Sequence, residues 1–140
     1  MEINKTLSII KPDAMKSKLQ GKILDYLENK GFKIIAQKKM RLTKKQAETF
    51  YAIHKDRPFF NELIEFMISG DISVQVLEAD NAVSHYREVM GNTDPANADE
   101  GTLRKLYGNN IQCNAVHGSD SQENANIEIN FFFSKLELIN

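Results

Sequence analysis

The sequence has little of what secreted, membrane or nucleic-acid-binding proteins need. It contains a single cysteine, Cys113, so no disulfide can form within the chain, which fits a reducing compartment. No apolar run approaches the roughly 18 residues of a spanning helix, and the N-terminus does not resemble a signal peptide. The formal net charge of −1 gives no overall basic field for nucleic acid or an acidic membrane. We therefore expect a cytoplasmic protein with no membrane segment and no dedicated nucleic-acid site.

Several short catalytic motifs are also missing. The glycine-rich pattern GxxxxGK[ST] does not occur, and neither does GxGxxG, so the sequence does not support a Walker-type nucleotide site. HExxH and CxxC are absent as well, and the three histidines, His54, His85 and His117, lie far apart in the sequence. We therefore expect no metal ion held in a dedicated cage of protein side chains.

The length of 140 residues predicts that the chain folds as one domain. Strands are predicted at 6–10, 32–42, 72–77 and 114–116, and helices occupy most of the sequence between and after them. The order β-α-β-α-α-β-α-loop-β-α predicts an α/β sandwich with a small, mostly antiparallel four-stranded sheet covered by helices. In the second strand, alternation places five residues on one face: Ile34, Ala36, Lys38, Met40 and Leu42.

Local signals predict where the helices begin and end. One helix ends before Gly31, and a capping box at 43–46 begins the next. Arg57-Pro58 is expected to begin a helix that runs to Gly70, because proline is favoured in the first turn. Asp80 is expected to cap a helix that ends near Gly91, and a last helix follows from about Ser121.

The region 91–113 has little periodicity. It holds three glycines, one proline and four asparagines. A long irregular loop within a compact domain is usually functional or disordered, although a tolerated surface insertion is an equally open explanation.

Arginine is scarce, and this makes its positions informative. The four arginines are Arg41, Arg57, Arg87 and Arg104, of which Arg104 lies within the irregular region and Arg87 lies on the helix before it. The planar guanidinium group can grip a phosphate with two parallel hydrogen bonds. Any one arginine taken alone is more often a solvated or salt-bridged surface side chain.

His117 is the histidine best placed for chemistry. It precedes two overlapping patterns, Ser119-Asp-Ser-Gln122 and Asp120-Ser-Gln-Glu123, which both match capping boxes and predict a helix start. The free N–H groups and the dipole of a helix N-terminus favour an anion such as phosphate. Gly118 is expected to leave room for a substrate. A structural histidine beside a helix cap remains the alternative.

Glu128 is an acidic residue on an apolar helix face. Its helical phase places it within the arc of Ala125, Ile129 and Phe132. A carboxylate there is costly to bury unless it is paired, so it could orient an imidazole just beyond the helix start. The alternative is an edge position at which the carboxylate reaches water.

The segment NAVHGSDS resembles the active-site sequence of the nucleoside diphosphate kinases. TLSIIKPDA, RPFF, REVMGNTDPANA, GTLR and NIEINFFF resemble other segments of that family in the same order, so the resemblance covers essentially the whole chain. It implies a ferredoxin-like fold and a ping-pong transfer of the γ-phosphate, mainly from ATP, to nucleoside diphosphates through a phosphohistidine. Such an enzyme maintains the pools of NTPs and dNTPs.

The resemblance also implies roles for individual residues. His117 would be the phosphorylated nucleophile, and the supporting residues around it would be Tyr51, Ser119 and Glu128. The nucleotide would be bound by residues that contact its phosphates, sugar or base: Lys11, Phe59, Arg87, Thr93, Arg104, Ile111 and Asn114. The cofactor would be Mg²⁺ bound to the nucleotide phosphates rather than to a protein cage.

The resemblance also bears on assembly, and the sequence differs from the family's usual pattern at two places. The resemblance implies a homo-oligomer and leaves tetramer or hexamer open. Glu100 stands where the family usually has proline, and Lys105-Leu106-Tyr107 stands where a Gly-Asp-Phe-like stretch often follows the arginine. These differences concern the rigidity of the loop and assembly rather than the presumed catalytic positions.

Two other functions are compatible with parts of the sequence. A phosphohistidine hydrolase or phosphocarrier would also use a histidine at a helix start, but would leave Phe59 and Asn114 without a purpose. A nucleic-acid module resembling an RRM would need aromatic residues on its sheet strands and a basic face. The strands TLSII and ISVQVL contain no aromatic residue.

Overall fold

The computed structural model describes residues 3–139. Its strands are β1 (Ile3–Ile10), β2 (Lys33–Met40), β3 (Ile72–Asp80) and β4 (Val116–Gly118). Its helices are α1 (Pro12–Lys16), α2 (Gln20–Asn29), α3 (Lys44–Phe50), α4 (Phe60–Met67), α5 (Ala82–Met90), α6 (Leu103–Tyr107) and α7 (Gln122–Phe132). Short 3₁₀ helices lie at Ala52–His54, Pro95–Asn97 and Lys135–Glu137. No helix in this part of the chain is long and apolar enough to cross a membrane.

The four strands form one antiparallel sheet in the order β2-β3-β1-β4. Alternate residues of β1 and β3 point to opposite faces, and each face carries its own buried cluster. Leu7 and Ile9 belong to the cluster covered by α3, α4 and α7, whereas Ile10 belongs to the cluster covered by α1, α2, α5 and α6. The predicted α/β sandwich is therefore confirmed. Both faces of the sheet are covered, which removes the exposed surface that the RRM-like alternative requires.

The predicted single face of β2 is wrong. A β-bulge lies between Ile34 and Ala36, and Ile35 is the extra residue. Ile34 lies opposite Leu77 and packs with the α2 side, while Ile35, Ala36 and Met40 pack with the α7 side. A bulge places two residues of one strand opposite one residue of its partner, so the simple alternation fails at this point.

The start of α5 is capped differently from the prediction. Asp80 is the last residue of β3, and Asn81 stands at the N-cap in a left-handed conformation without a side-chain cap bond. The Ala82 N–H instead donates to Asn4 Oδ1, at 2.6 Å, from the neighbouring strand β1. The helix start is therefore stabilised by a residue distant in sequence, which local capping rules cannot find.

Other boundaries differ by a few residues. Helix α4 begins at Phe60, after a turn that includes Arg57-Pro58, and β4 begins at Val116 rather than at Asn114. The short helices α1 and α6 were not predicted, and α6 lies within the region expected to be irregular. The stop at Gly31 is confirmed: its φ is +93°, and Phe32 N–H donates to Leu27 O as in a Schellman motif.

Candidate active site

A cleft of about 710 Å³ opens where β1 and β4 meet α3, α4, α5 and α7. Ten of the eleven predicted site residues line it: Lys11, Tyr51, Phe59, Arg87, Thr93, Arg104, Ile111, Asn114, His117 and Glu128. The eleventh, Ser119, is buried behind the wall of the cleft and reaches the site through Glu128. The tertiary structure therefore gathers residues that are spread from position 11 to position 128.

His117 lies in the middle of β4, opposite Ile9 of β1. Its Nε2 donates a hydrogen bond to Glu128 Oε1 at 2.9 Å, and Ser119 Oγ donates to the same oxygen, also at 2.9 Å. The rings of Phe50 and Tyr51 meet the imidazole edge-on, with centroid distances of 5.5 and 6.2 Å. The imidazole is therefore held in one orientation by a carboxylate and two aromatic rings.

The helix after His117 is confirmed, but neither predicted capping box forms. Ser121 is the N-cap of α7, and its side chain accepts from Asn124 N–H at 3.1 Å. Ser119 is therefore free to serve Glu128 instead of the helix. The pattern SDSQEN holds several possible caps, and the structure uses the third of them, Ser121.

The hydroxyl of Tyr51 is buried beside this pair. Its oxygen has no hydrogen-bond partner among residues 3–139. Burial raises the pKa of Tyr51, and the nearby charge of Glu128 raises it further, so the phenol stays protonated. A buried donor without a partner is unfavourable, and a bound ligand that accepts its hydrogen bond would remove that penalty.

Lys11 and Asn114 form the floor of the cleft. Lys11 Nζ donates to Asn114 Oδ1 at 2.8 Å, and Asn114 Nδ2 donates to Thr93 O at 3.0 Å. Burial, and to a smaller extent the charge of Arg104, lower the pKa of Lys11 to about 8, while the charge of Asp13 acts in the opposite direction. The ammonium group is therefore destabilised in the free protein and would gain from an anion placed beside it.

Arg104 is the second buried cation of the site. Its guanidinium donates to Val116 O at 2.9 Å and to Gly91 O at 3.2 Å, and its Nε has no partner in the described part of the chain. Burial lowers the pKa of Arg104 to about 10, so the group remains charged at neutral pH. The α6 helix that carries it was missed because five residues are too few to show periodicity.

The remaining predicted residues lie at the exposed rim. Phe59 is 46% exposed, Ile111 is 61% exposed, and Arg87 and Thr93 are exposed as well. Phe59 immediately precedes α4, Ile111 lies in the loop before β4, and both line the cleft. An aromatic ring and an apolar side chain that line the same opening offer an apolar surface on which a flat ring can pack.

Gly118 has a packing role in addition to the one expected. A Cβ at this position would come within 2.5 Å of Met90 Sδ and 2.8 Å of the Tyr86 ring. The glycine is therefore required by close packing of β4 against α5, and not only by space for a substrate. Sequence reasoning had no means of finding this contact, because Tyr86 and Met90 are distant in the chain.

Several lining residues were missed by sequence reasoning. The chief ones are Phe50, His54, Glu62, Leu63, Gln112 and Asp120. Phe50 and Leu63 carry ordinary helical apolar patterns, which predict core packing rather than a site. Asp120 lies within the NAVHGSDS segment, so its closeness to His117 was the one available signal.

Comparison with known proteins gives the site its context. The family model described as nucleoside diphosphate kinase matches residues 4–138. The nucleoside diphosphate kinase of Wolbachia pipientis subsp. Culex pipiens (strain wPip) is 62% identical over 139 residues, which are 99% of this chain and 100% of that one. This chain belongs to the nucleoside diphosphate kinase family. It is an enzyme that transfers a phosphoryl group between nucleotides.

Solved structures of the family show the same fold. The nucleoside diphosphate kinase of Aquifex aeolicus matches with a TM-score of 0.97 at 44% identity, covering 99% of this chain and 100% of that one. A halophilic nucleoside diphosphate kinase from Halobacterium salinarum in complex with CDP matches with a TM-score of 0.95 at 38% identity, covering 99% and 93%. The ferredoxin-like fold is therefore confirmed.

Proposed function

We propose that the enzyme carries the γ-phosphoryl group of an NTP, mainly ATP, to an NDP by a ping-pong mechanism through phosphorylated His117. The observation that carries this proposal is the hydrogen bond between His117 and Glu128 at the base of a cleft that also holds two buried cations, Lys11 and Arg104. Phosphoryl transfer requires positioning and charge stabilisation more than acid–base groups, and these residues supply both.

The same geometry supports attack by one particular nitrogen of the ring. A carboxylate can only accept, so His117 Nε2 carries the proton and Nδ1 keeps its lone pair. Nδ1 would attack the γ-phosphorus, and the bond to the β–γ bridging oxygen would break, leaving NDP and a phosphohistidine. Glu128 would then stabilise the positive charge that develops on the ring. In the second half-reaction, a terminal oxygen of another NDP would attack the phosphohistidine and release free His117.

The cations of the cleft would bind the phosphates. Lys11 and Arg104 are buried, and no carboxylate of residues 3–139 is in hydrogen-bond contact with them, so their charges lack full compensation there. Phosphate oxygens would supply that compensation. Arg87 and Thr93 at the rim would contact the phosphates, and Asn114 would hold sugar hydroxyls. The Tyr51 hydroxyl would gain an acceptor on the nucleotide.

The base would lie at the exposed rim between Phe59 and Ile111. Stacking on an aromatic face is tolerant of base identity. The region 91–113 supplies Thr93, Arg104 and Ile111 to the cleft, so we assign it to nucleotide binding within one domain that spans residues 1–140.

A nucleotide kinase of this family is expected to require a divalent metal ion, and we propose Mg²⁺ bound to the nucleotide phosphates. Within residues 3–139, no three His, Cys, Asp or Glu side chains are grouped to hold an ion. The basic residues of the cleft would bind the phosphates, and the metal ion would enter the cleft already bound to phosphate oxygens. When bound there, Mg²⁺ would neutralise part of the phosphate charge.

We also propose that the enzyme is a cytoplasmic homo-oligomer, because nucleotide pools are cytoplasmic and several apolar side chains are exposed. Leu136 is 98% exposed, Ile3 is 70% exposed and Ile139 is 60% exposed. Burial of such residues between subunits is favourable. Sedimentation equilibrium would distinguish a tetramer from a hexamer, and a monomer at micromolar concentration would contradict this proposal.

Incubation with γ-labelled ATP tests the catalytic proposal directly. The protein should become labelled in an acid-labile, base-stable form and should pass the label to an added NDP. His117→Gln should abolish both labelling and turnover. Release of inorganic phosphate without transfer to an NDP would indicate a phosphohistidine hydrolase, and normal turnover of the variant would exclude His117 as the nucleophile.

A further inference from the structure

The three residues before His117 form an unusual turn. Ala115 is fully buried and has a φ of +75°, a backbone conformation that residues other than glycine rarely adopt. Val116 N–H donates to Asn114 O at 2.9 Å, which closes a three-residue γ-turn around Ala115. A γ-turn with positive φ at its centre is rare and strained. Such a conformation persists only where neighbouring groups hold it.

The turn sets the direction of two residues that face the cleft. Asn114 lies directly before Ala115, and His117 lies two residues after it, at the centre of β4. If Ala115 relaxed to a negative φ, the chain would leave the turn in a different direction. Either Asn114 would move away from Lys11, or β4 would shift against β1 and move the imidazole away from Glu128.

Residues just after β1 hold both sides of Ala115. Lys11 N–H donates to Ala115 O at 2.8 Å, and Ala115 N–H donates to Asp13 Oδ2 at 3.1 Å. The bond from Lys11 uses backbone atoms that any residue has. The bond to Asp13 is made by the side chain, so a substitution at position 13 can remove it.

The environment of Asp13 is costly for a carboxylate. Its Oδ1 is buried without a hydrogen-bond partner among the described residues. Burial raises the pKa of Asp13, and the opposing effects of the Ala115 N–H, the charge of Lys11 and the backbone N–H groups of Asp13 and Ala14 offset this only in part. A carboxylate kept in such a place, with its side-chain hydrogen bond directed at the strained residue, indicates a specific positional role.

We propose that Asp13 is a positioning residue of the phosphoryl transfer: its carboxylate holds Ala115 in the left-handed conformation and thereby keeps Asn114 and His117 directed into the cleft. This inference rests on the role proposed above for His117. Asp13 acts through the hydrogen bond to Ala115 rather than through its charge on Lys11, and the two explanations differ in what an asparagine should do.

The test compares Asp13→Ala with Asp13→Asn. Asparagine removes the charge but keeps an oxygen that can accept from Ala115 N–H, whereas alanine removes both. By analogy with other residues that orient a reactive group, Asp13→Ala should lower the single-turnover rate of His117 phosphorylation by about 10–100-fold. Asp13→Asn should stay close to the wild-type rate. Equal losses in both variants would place the effect in the charge beside Lys11 and would overturn the proposal.

Glycine at position 115 supplies a second test, which remains informative if Asp13→Ala folds poorly in the wild-type background. Glycine adopts positive φ without strain, so it should not need the carboxylate. In the Ala115→Gly background, Asp13→Ala should change the phosphorylation rate much less than in the wild-type background. The same loss in both backgrounds would overturn the role of the left-handed turn. Thermal unfolding of each variant would report its folded fraction at the assay temperature.

The wild-type protein separates this inference from the proposed function. If wild-type protein forms no acid-labile phosphoprotein at His117, the proposed function fails. If the wild type is labelled and folded Asp13→Ala is labelled equally fast, only the positioning role of Asp13 fails.

Discussion

The inner wall of the cleft and its outer rim are built differently. The inner wall, formed by Lys11, Arg104, Asn114, His117 and Glu128, consists of buried or half-buried side chains that each make a hydrogen bond within the protein. The rim, formed by Phe59, Arg87, Thr93 and Ile111, consists of exposed side chains, and none of them makes a side-chain hydrogen bond in the described part of the chain.

This difference separates two tasks. Groups that act on the transferred phosphoryl must be held in place before the substrate arrives, because reorganisation during the reaction raises the barrier. Groups that grip the base and outer phosphates need only a complementary surface. We therefore expect removal of a hydrogen-bonded side chain from the inner wall to affect both chemistry and stability, and an isosteric change there to affect mainly chemistry. Changes in the rim should affect mainly nucleotide binding.

The largest expected loss of activity is that of Arg104→Ala, and Arg87→Ala is its matched control. Removing one preorganised donor to a transferring group typically costs about 10²–10³-fold in rate, so we expect that loss in single-turnover phosphorylation for Arg104→Ala. Its melting temperature should also fall, because Val116 O and Gly91 O lose their partner. Arg87→Ala removes the same charge from an exposed position and should lose less activity at an unchanged melting temperature. Equal destabilisation by the two substitutions would contradict the comparison.

Glu128→Gln should have the next largest effect. The amide keeps one acceptor but loses the charge that stabilises the imidazole, so transfer should slow by about 10–100-fold with little change in unfolding. Ser119→Ala is the matched control, because it removes the other donor to Glu128 Oε1 and leaves the bond to His117. It should slow the reaction less. Wild-type phosphorylation kinetics in Glu128→Gln, together with a lower melting temperature, would show that Glu128 is only structural.

The pH dependence tests the buried cation of the inner wall. The pKa of Lys11 in the folded protein is about 8, below its ordinary value of 10.5, so the unfolded state binds more protons between these values. Stability of the free enzyme should therefore rise with pH across that window. Nucleotide affinity should fall over the same window, by about tenfold per pH unit at most, because binding requires the ammonium form. Calorimetric titration and thermal unfolding at pH 7–10 would measure both, and Lys11→Gln should lose both trends.

The smallest expected effect concerns two adjacent phenylalanines. Stacking of a base on an aromatic ring contributes about 1–3 kcal/mol, and Phe59 is exposed, so Phe59→Ala should raise KM by about fivefold at an unchanged kcat and melting temperature. Phe60→Ala is the control, because Phe60 packs against the core beside α3 and α7. It should lower the melting temperature and leave KM unchanged. The reverse result would move the base-binding surface away from Phe59.

Much of the fold followed from local patterns. The strands predicted at 6–10 and 72–77 are short and β-branched, and these properties predicted β1 and β3 without any tertiary information. Each strand is three residues longer than predicted, because β1 begins at Ile3 and β3 ends at Asp80. The capping box at Thr43 formed as predicted, with both reciprocal hydrogen bonds present. The predictions were wrong where a residue distant in sequence determines the local structure. Asn4 caps α5, and the bulge at Ile35 depends on the register of β2 with β3.

In the site, too, some features follow from the sequence and others depend on contacts between distant residues. The sequence by itself determined which residues are chemically able to act, because His117, Glu128 and the scarce arginines are informative through residue type, helical phase and position. It could not determine that Ser119 serves Glu128 rather than the helix, that Gly118 is required by Tyr86, or that Asp13 holds Ala115. Those facts depend on contacts between segments as far apart as residues 13 and 115. Only the antiparallel pairing of β4 with β1 brings these segments together, because hydrogen bonds and packing act over a few ångströms of space and not along the sequence.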